Sequence, residues 1–277
     1  MLITDKMISE FSHILEMQEK SPATIEKYVR DVGRFVQFAA GQSITRQLVL
    51  DYKAALTAAY KARSVNSMLA SLNAFLHFVG HDDCRVRQLR VQNEAYCSEE
   101  KELSRQEYCR LVKTAVALGD KRMSLLLQTL CSTGIRISEL PFITVETVRE
   151  GRVEIRCKGK SRVIFLPAKL QHKLLRYCKA IHRHYGPVFC TRSGAAMDRS
   201  NIWHAMKRLC LAAGVSPGKV FPHNLRHLFA RTFYELEKDL SKLADLLGHS
   251  SINTTRIYIM SSGAEHRRRL EQMHLVL

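Results

Sequence analysis

Four short stretches of the 277-residue chain concentrate side chains that hold phosphate and move protons. They are STGIRISEL at 132–140, RCKGKSR at 156–162, PHNLRHLFAR at 222–231 and LLGHSS at 246–251. Tyr258 follows, within LLGHSSINTTRIYIM. His223 and Arg226 stand three apart, one turn up the same face of a helix that Pro222 opens. A guanidinium offers a fork of donors to an anionic oxygen, and an imidazole beside it gives or takes a proton. Arg136 lies just past a helix-breaking Gly134, and Glu139 is placed to buttress it. Lys158 and Lys160 occupy a hairpin turn, where a lysine reaches a groove or acts as an acid beside a phosphate. His249 follows Gly248 at a helix end. Each has an ordinary reading alone: a surface ion pair of small value, a solvated hairpin tip, a histidine on a helix dipole, a packed tyrosine. Their order and company in one basic chain argue for a shared site.

These side chains need elements to carry them. Residues 4–19 place Ile8, Phe11, Ile14 and Leu15 on one helical face. SPATIEKY opens a second helix, with Ser21 as N-cap, Pro22 at the first position and Gly41 as the stop. Thr45 caps a third helix through about Ala59, and Ser64 starts a fourth. Lys27, Arg30, Arg34, Lys53, Lys61 and Arg63 fall on the polar faces of this four-helix module, residues 1–90. Residues 81–102 lose apolar periodicity and alternate in charge, giving a linker over 91–102. A capping box, Ser104 with Glu107, starts the second domain, 103–277. A helix over 122–131 ends at Gly134. VEIRC and RVIFL alternate with period two around KGKS, so 153–157 and 162–166 pair as a hairpin. Helices follow at 168–184, 200–213, 223–236, 239–247 and 265–274. The segment bearing Tyr258 is rich in β-branched residues, which weakly determine a helix.

Composition sets the partner class. Lys and Arg number 43 against 26 Asp and Glu, a net charge of +17, which points to a polyanion and first to nucleic acid. Eight cysteines are scattered with no CxxC pair, which opposes a zinc ribbon or a disulfide scaffold. No apolar run is long enough to span a membrane, and MLITDKMISEF has no secretory pattern. Reduced thiols fit a cytoplasmic protein.

TGIRISEL, the KGKSR hairpin, PHNLRHLFA, LLGHSSINTT and the following Tyr258 together resemble the tyrosine recombinase (phage integrase) family. The helical N-terminal module is similar to that family's core-binding, SAM-like domain. The likeness is strongest to small two-domain, Xer-like members, without an extra arm-type DNA-binding domain. It implies a mainly α fold: a helical core-binding domain plus a mostly α catalytic domain with a small β-hairpin. It also implies roles. Tyr258 is the nucleophile. Arg136 and Arg226 clamp the non-bridging oxygens of the scissile phosphate. Lys158 is the acid for the leaving 5′ oxygen, with Lys160 a second candidate because the turn is short. His223 handles the tyrosine proton, His249 hydrogen-bonds the phosphate, and Glu139 supports the site from behind. Many relatives read Tyr-Thr-His where this chain reads Tyr-Ile-Met.

The resemblance implies a two-domain clamp on double-stranded DNA with a specific recombination site. It implies a homo-tetramer passing through a 3′-phosphotyrosine and a Holliday junction, an accessory or partner recombinase in some systems, and a place in the cytoplasm on the nucleoid. Lys160, Arg162 and Arg63 are further candidates for phosphate contacts. No carboxylate cluster suited to Mg²⁺ is evident, so no cofactor or metal is expected. The segment around Tyr258 is expected to deliver and withdraw the nucleophile. The last helix is expected to pack in cis or on a neighbouring protomer through Leu270, Met273, Leu275 and Leu277. A type IB topoisomerase-like enzyme and a non-catalytic DNA-binding regulator are the alternative readings.

Overall fold

The computed structural model describes residues 2–91, 102–157, 160–191, 193–249, 251–259, 267–268 and 271–273. The chain divides into two compact units, Met1–Asn93 and Glu94–Leu277.

The first unit is helical: α1 (Asp5–Met17), α2 (Pro22–Ala39), α3 (Arg46–Ala59) and α4 (Ala62–Phe78). Thr4, Ser21 and Thr45 cap the first three by accepting from the backbone N–H three residues on. α4 starts two residues before Ser64, with Lys61 at its N-cap. Phe35, Val49, Val65, Leu69, Phe75 and Leu76 are fully buried between the helices. Two expectations change. Ile14 is exposed, because Phe11 and Leu15 alone carry the buried face of α1. Lys27 turns inward from its polar face. Its ammonium donates to the buried Asp31 carboxylate at 2.6 Å and to Ser71 Oγ at 3.0 Å, since a buried carboxylate needs a partner. The stretch after α4 folds back on it. Asn73 holds the Val86 backbone at both ends, and Asn66 does the same for Leu89.

The second unit runs α5 (Arg105–Ala117), α6 (Lys121–Thr133), a 3-10 turn (Ile137–Phe142), α7 (Val145–Glu150), β1 (Arg152–Cys157), β2 (Lys160–Phe165), α8 (Ala168–Ala180), α9 (Arg199–Ala213), α10 (Pro222–Glu237), α11 (Leu240–Leu247), α12 (Ile252–Arg256) and a 3-10 turn, Ile257–Ile259. Ser104 and Glu107 form the expected capping box. α6 is apolar on several sides: Met123, Leu125, Leu126, Leu127 and Leu130 are all buried, as in a helix enclosed by others. α5, α8 and α10 pack around it. β1 and β2 form an antiparallel hairpin, with Val153 opposite Ile164 and Ile155 opposite Arg162. Val153, Ile155 and Ile164 are buried, while Val163 and Phe165 face outward, the alternation of a one-sided sheet. The helix expected at 265–274 falls largely outside the described residues, as do Leu270, Leu275 and Leu277. Met273 is exposed.

Candidate active site

The site is built around the C-terminus of α11. A helix leaves its last carbonyls without intrahelical partners and negative in potential. Here three successive ones each accept from a different arginine. Leu246 O accepts from Arg162 Nη1 at 2.8 Å, Leu247 O from Arg226 Nη2 at 2.6 Å, and Gly248 O from Arg136 Nη2 at 3.0 Å. The left-handed Gly248 (φ 62°) ends the helix and makes this socket possible.

Arg136 is delivered by the end of α6. Gly134 takes φ 62°, and a Cβ there would stand 2.5 Å from Phe229 Cδ1, so conformation and space both require glycine. Its carbonyl accepts from Arg226 Nη1. Arg136 then opens the 3-10 turn, with its side chain 39% exposed. Glu139, three residues on, is buried and gathers three donors: the Arg136 backbone N–H at 2.9 Å, Arg136 Nη1 at 2.8 Å and Arg162 Nη2 at 2.5 Å. Burial pushes its carboxyl up, but the Arg136 backbone N–H and the two guanidiniums outweigh that and hold it below its ordinary value.

Arg162 stands apart from its expected part as a phosphate contact on DNA. It pairs with Ile155 across the hairpin and shares the buried face with Ile164, so it points inward. Its side chain is 11% exposed and committed to Glu139 and Leu246 O. Burial lowers its pKa, and Arg136 adds to that fall.

α10 carries His223, Arg226 and His227 on one face. Phe221 and Pro222 start the helix. Arg226 is 2% exposed. Besides the Gly134 and Leu247 carbonyls it reaches His249 Nε2 at 3.0 Å, and its Nε has no partner among the described residues. Burial, then Arg136, brings its pKa down to about 10, so it stays charged at neutral pH. Because a guanidinium only donates, His249 Nε2 must accept, and Nδ1 carries the proton toward Thr255 Oγ1 at 2.9 Å. Burial and the neighbouring arginines hold His249 at about pKa 4. His223, exposed at the edge of the site, is also lowered, by partial burial of its ring and by Arg226.

Tyr258 lies inside this ring of groups. It follows the five-residue α12, is 6% exposed, and packs with Ala230, Leu243 and Leu247. Its ring centroid is 5.2 Å from that of His223 and 5.1 Å from that of His249, with the Arg226 guanidinium carbon 6.0 Å away. A fourth neighbour is unforeseen: His227 stacks on the tyrosine at 4.1 Å. The spacing of 223, 226, 227 and 230 on one helix face was the available signal.

The structure thus brings Arg136, Glu139, His223, Arg226, His249 and Tyr258 together. Lys158 lies outside the described residues, and Lys160 is placed only by its backbone pairing with Cys157. Arg63 is exposed on α4 of the first unit. Among the described residues one group, His81, Asp83 and Cys84, brings metal-type ligand atoms within 4.8 Å of one another, and it lies in the first unit. No helix among the described residues is long and apolar enough to cross a membrane.

Residues 101–265 match the phage integrase family, and residues 8–82 match the phage integrase N-terminal SAM-like domain. The tyrosine recombinase XerA of Thermococcus kodakarensis is 30% identical over 278 residues, spanning 97% of this chain and 95% of that protein. In fold the chain is similar to the XerH site-specific recombinase bound to difH substrate in a pre-cleavage complex (TM-score 0.70, 19% identity, 94% of this chain and 83% of that one). It is also similar to a lambda integrase tetramer bound to a Holliday junction (TM-score 0.73, 16% identity, 91% and 76%). With the family matched over more than half of its length and a recombinase 30% identical along nearly all of it, the chain belongs to the phage integrase family and is a tyrosine recombinase.

Proposed function

We propose that Tyr258 attacks a phosphodiester at a specific duplex site, forming a bond to the 3′ phosphate as the 5′ oxygen leaves. The free 5′ hydroxyl of a second strand then reverses the step through a Holliday junction, without ATP. The observation that carries this reading is the enclosure of Tyr258 by Arg226, His223 and His249. Attack gathers negative charge on the non-bridging oxygens, and Arg136 and Arg226, held by the carbonyls at the end of α11, are the proposed cations that stabilise it. A phenol with a pKa near 10 is a weak nucleophile at neutral pH and needs its proton taken. His223, neutral there, is the proposed acceptor. His249 is proposed to exchange its bond with Arg226 for one to the phosphate. Lys158 is the proposed acid for the leaving oxygen, with Lys160 the alternative. Arg162 and Glu139 hold the arginines from behind. The XerH complex with difH and the lambda integrase tetramer on a Holliday junction support a homo-tetramer on double-stranded DNA. The first unit would contribute DNA binding and the second the chemistry, in the cytoplasm on the nucleoid.

Selection from a random duplex library gives the cognate sequence, and a nicked suicide duplex of that sequence then traps the intermediate. The native chain should form a covalent adduct at Tyr258. Tyr258→Phe should retain the duplex and form none. An adduct on the Phe variant would overturn the assignment. Retention without any adduct on the native chain would make it a binder, and relaxation of plasmids lacking the site would make it topoisomerase-like.

A further inference from the structure

His227 is the ring packed face to face on Tyr258. The centroids are 4.1 Å apart and the planes 18° from parallel. His223 meets the same tyrosine edge-on at 71°, and His249 meets it at 42°. His227 is itself braced by an edge contact with His223, at 4.7 Å and 80°. Burial, then His223 and Arg226, brings its imidazole to about pKa 4, so at neutral pH it presents an uncharged plate. The segment bearing the tyrosine is short, a five-residue helix and a 3-10 turn, and Ala230, Leu243 and Leu247 bury the ring with aliphatic groups. α12 spans five residues, of which Thr255 is the buried one. Aliphatic neighbours bury a ring without preferring one tilt, whereas a second ring laid against it favours a defined geometry.

We infer that His227 is a positioning residue: its face seats the Tyr258 ring beside Arg226 and His223, and so sets how often the hydroxyl is aligned for attack. The inference rests on Tyr258 being the nucleophile. A misplacement of about 1 Å costs on the order of a hundredfold in rate, so a lost seat should be visible in chemistry while leaving affinity alone.

The full chain and the suicide duplex described above supply the test, with the native protein and Tyr258→Phe as references. His227→Ala should slow covalent trapping by about tenfold or more, with duplex affinity within about twofold. It should also raise deuterium uptake over 252–258. His227→Phe keeps a flat aromatic face and should return both readouts close to native. Should the alanine variant fail to fold, His227→Leu fills the volume without a flat face, and its trapping should be slow where that of His227→Phe is not. Trapping by the alanine or leucine variant at the native rate or faster, or equal slowing by Phe and Leu, overturns the inference. If the native protein forms no adduct at Tyr258, the underlying reading fails instead.

Discussion

Arg226 combines a charge with near-complete burial, a costly state unless partners surround it. It is tolerated because two carbonyls and an imidazole face it. The same charge has a consequence for its neighbours. His223, His227 and His249 are all kept from protonation, by burial first and by Arg226 among the nearby groups. His227 binds its proton at 6.5 in the ordinary case and at about 4 in the folded chain. Between those values the unfolded chain holds a proton the folded one lacks. Stability therefore falls as pH drops from about 6.5 toward 4, and is restored as pH rises. His227 alone contributes up to about 1.4 kcal/mol per pH unit in that window. Urea midpoints at pH 7 and pH 5 should show the decline, and His227→Phe should make it shallower while the share of His223 and His249 remains. An unchanged slope in that variant would remove His227 from the account.

At the scale of elements, the end of α11 is where β2, the 3-10 turn and α10 converge. Gly248 is the pivot. An added Cβ would stand 2.7 Å from Arg162 Cδ and 3.2 Å from its Nε, on a backbone at φ 62°. Gly248→Ala must push Arg162 off Glu139 or unwind the helix end. The expected cost is about 1–3 kcal/mol in stability. The expected kinetic effect is slower trapping, because Arg136 also donates to the Gly248 carbonyl. A variant with native melting temperature and native trapping would show that the socket does not position the arginines. Much of this architecture was legible beforehand. Caps at Ser21, Thr45 and Ser104 and the period-two arms of the hairpin announced their elements. The inward turn of Arg162 was also available, since it shares strand parity with Ile164, but a basic side chain next to a lysine-rich turn invites an outward assignment. The carbonyl socket was not legible: backbone acceptors carry no residue identity, so LLGH shows a helix end without showing what it holds. Lys27 was legible in part: Asp31 lies one helical turn on, while Ser71 is 44 residues away.

For the whole molecule, the decisive property is an excess of 17 positive charges, most of it in residues 94–277. Within the site there are three guanidiniums to one carboxylate, Glu139, which pairs with Arg136 and Arg162 but not Arg226, so the potential is already positive before any ligand arrives. Duplex DNA carries condensed counterions, and a protein that neutralises phosphates releases them. Log affinity should then fall linearly with log salt. If six to ten phosphates are contacted, raising salt from about 50 to about 200 mM should weaken binding by roughly 10³–10⁵-fold. Tyr258→Phe and His227→Ala, neither of which removes a cation at neutral pH, should give parallel lines of the native slope. Lys160→Ala and Arg63→Ala should each reduce the slope by about one if those side chains contact phosphate. Arg162→Ala should leave the slope intact while slowing trapping, because its charge is turned onto Glu139 and Leu246. A salt titration of duplex binding across these variants separates the cations that meet DNA from those that hold the site. A loss of about one unit of slope in Arg162→Ala would place that guanidinium on the DNA after all.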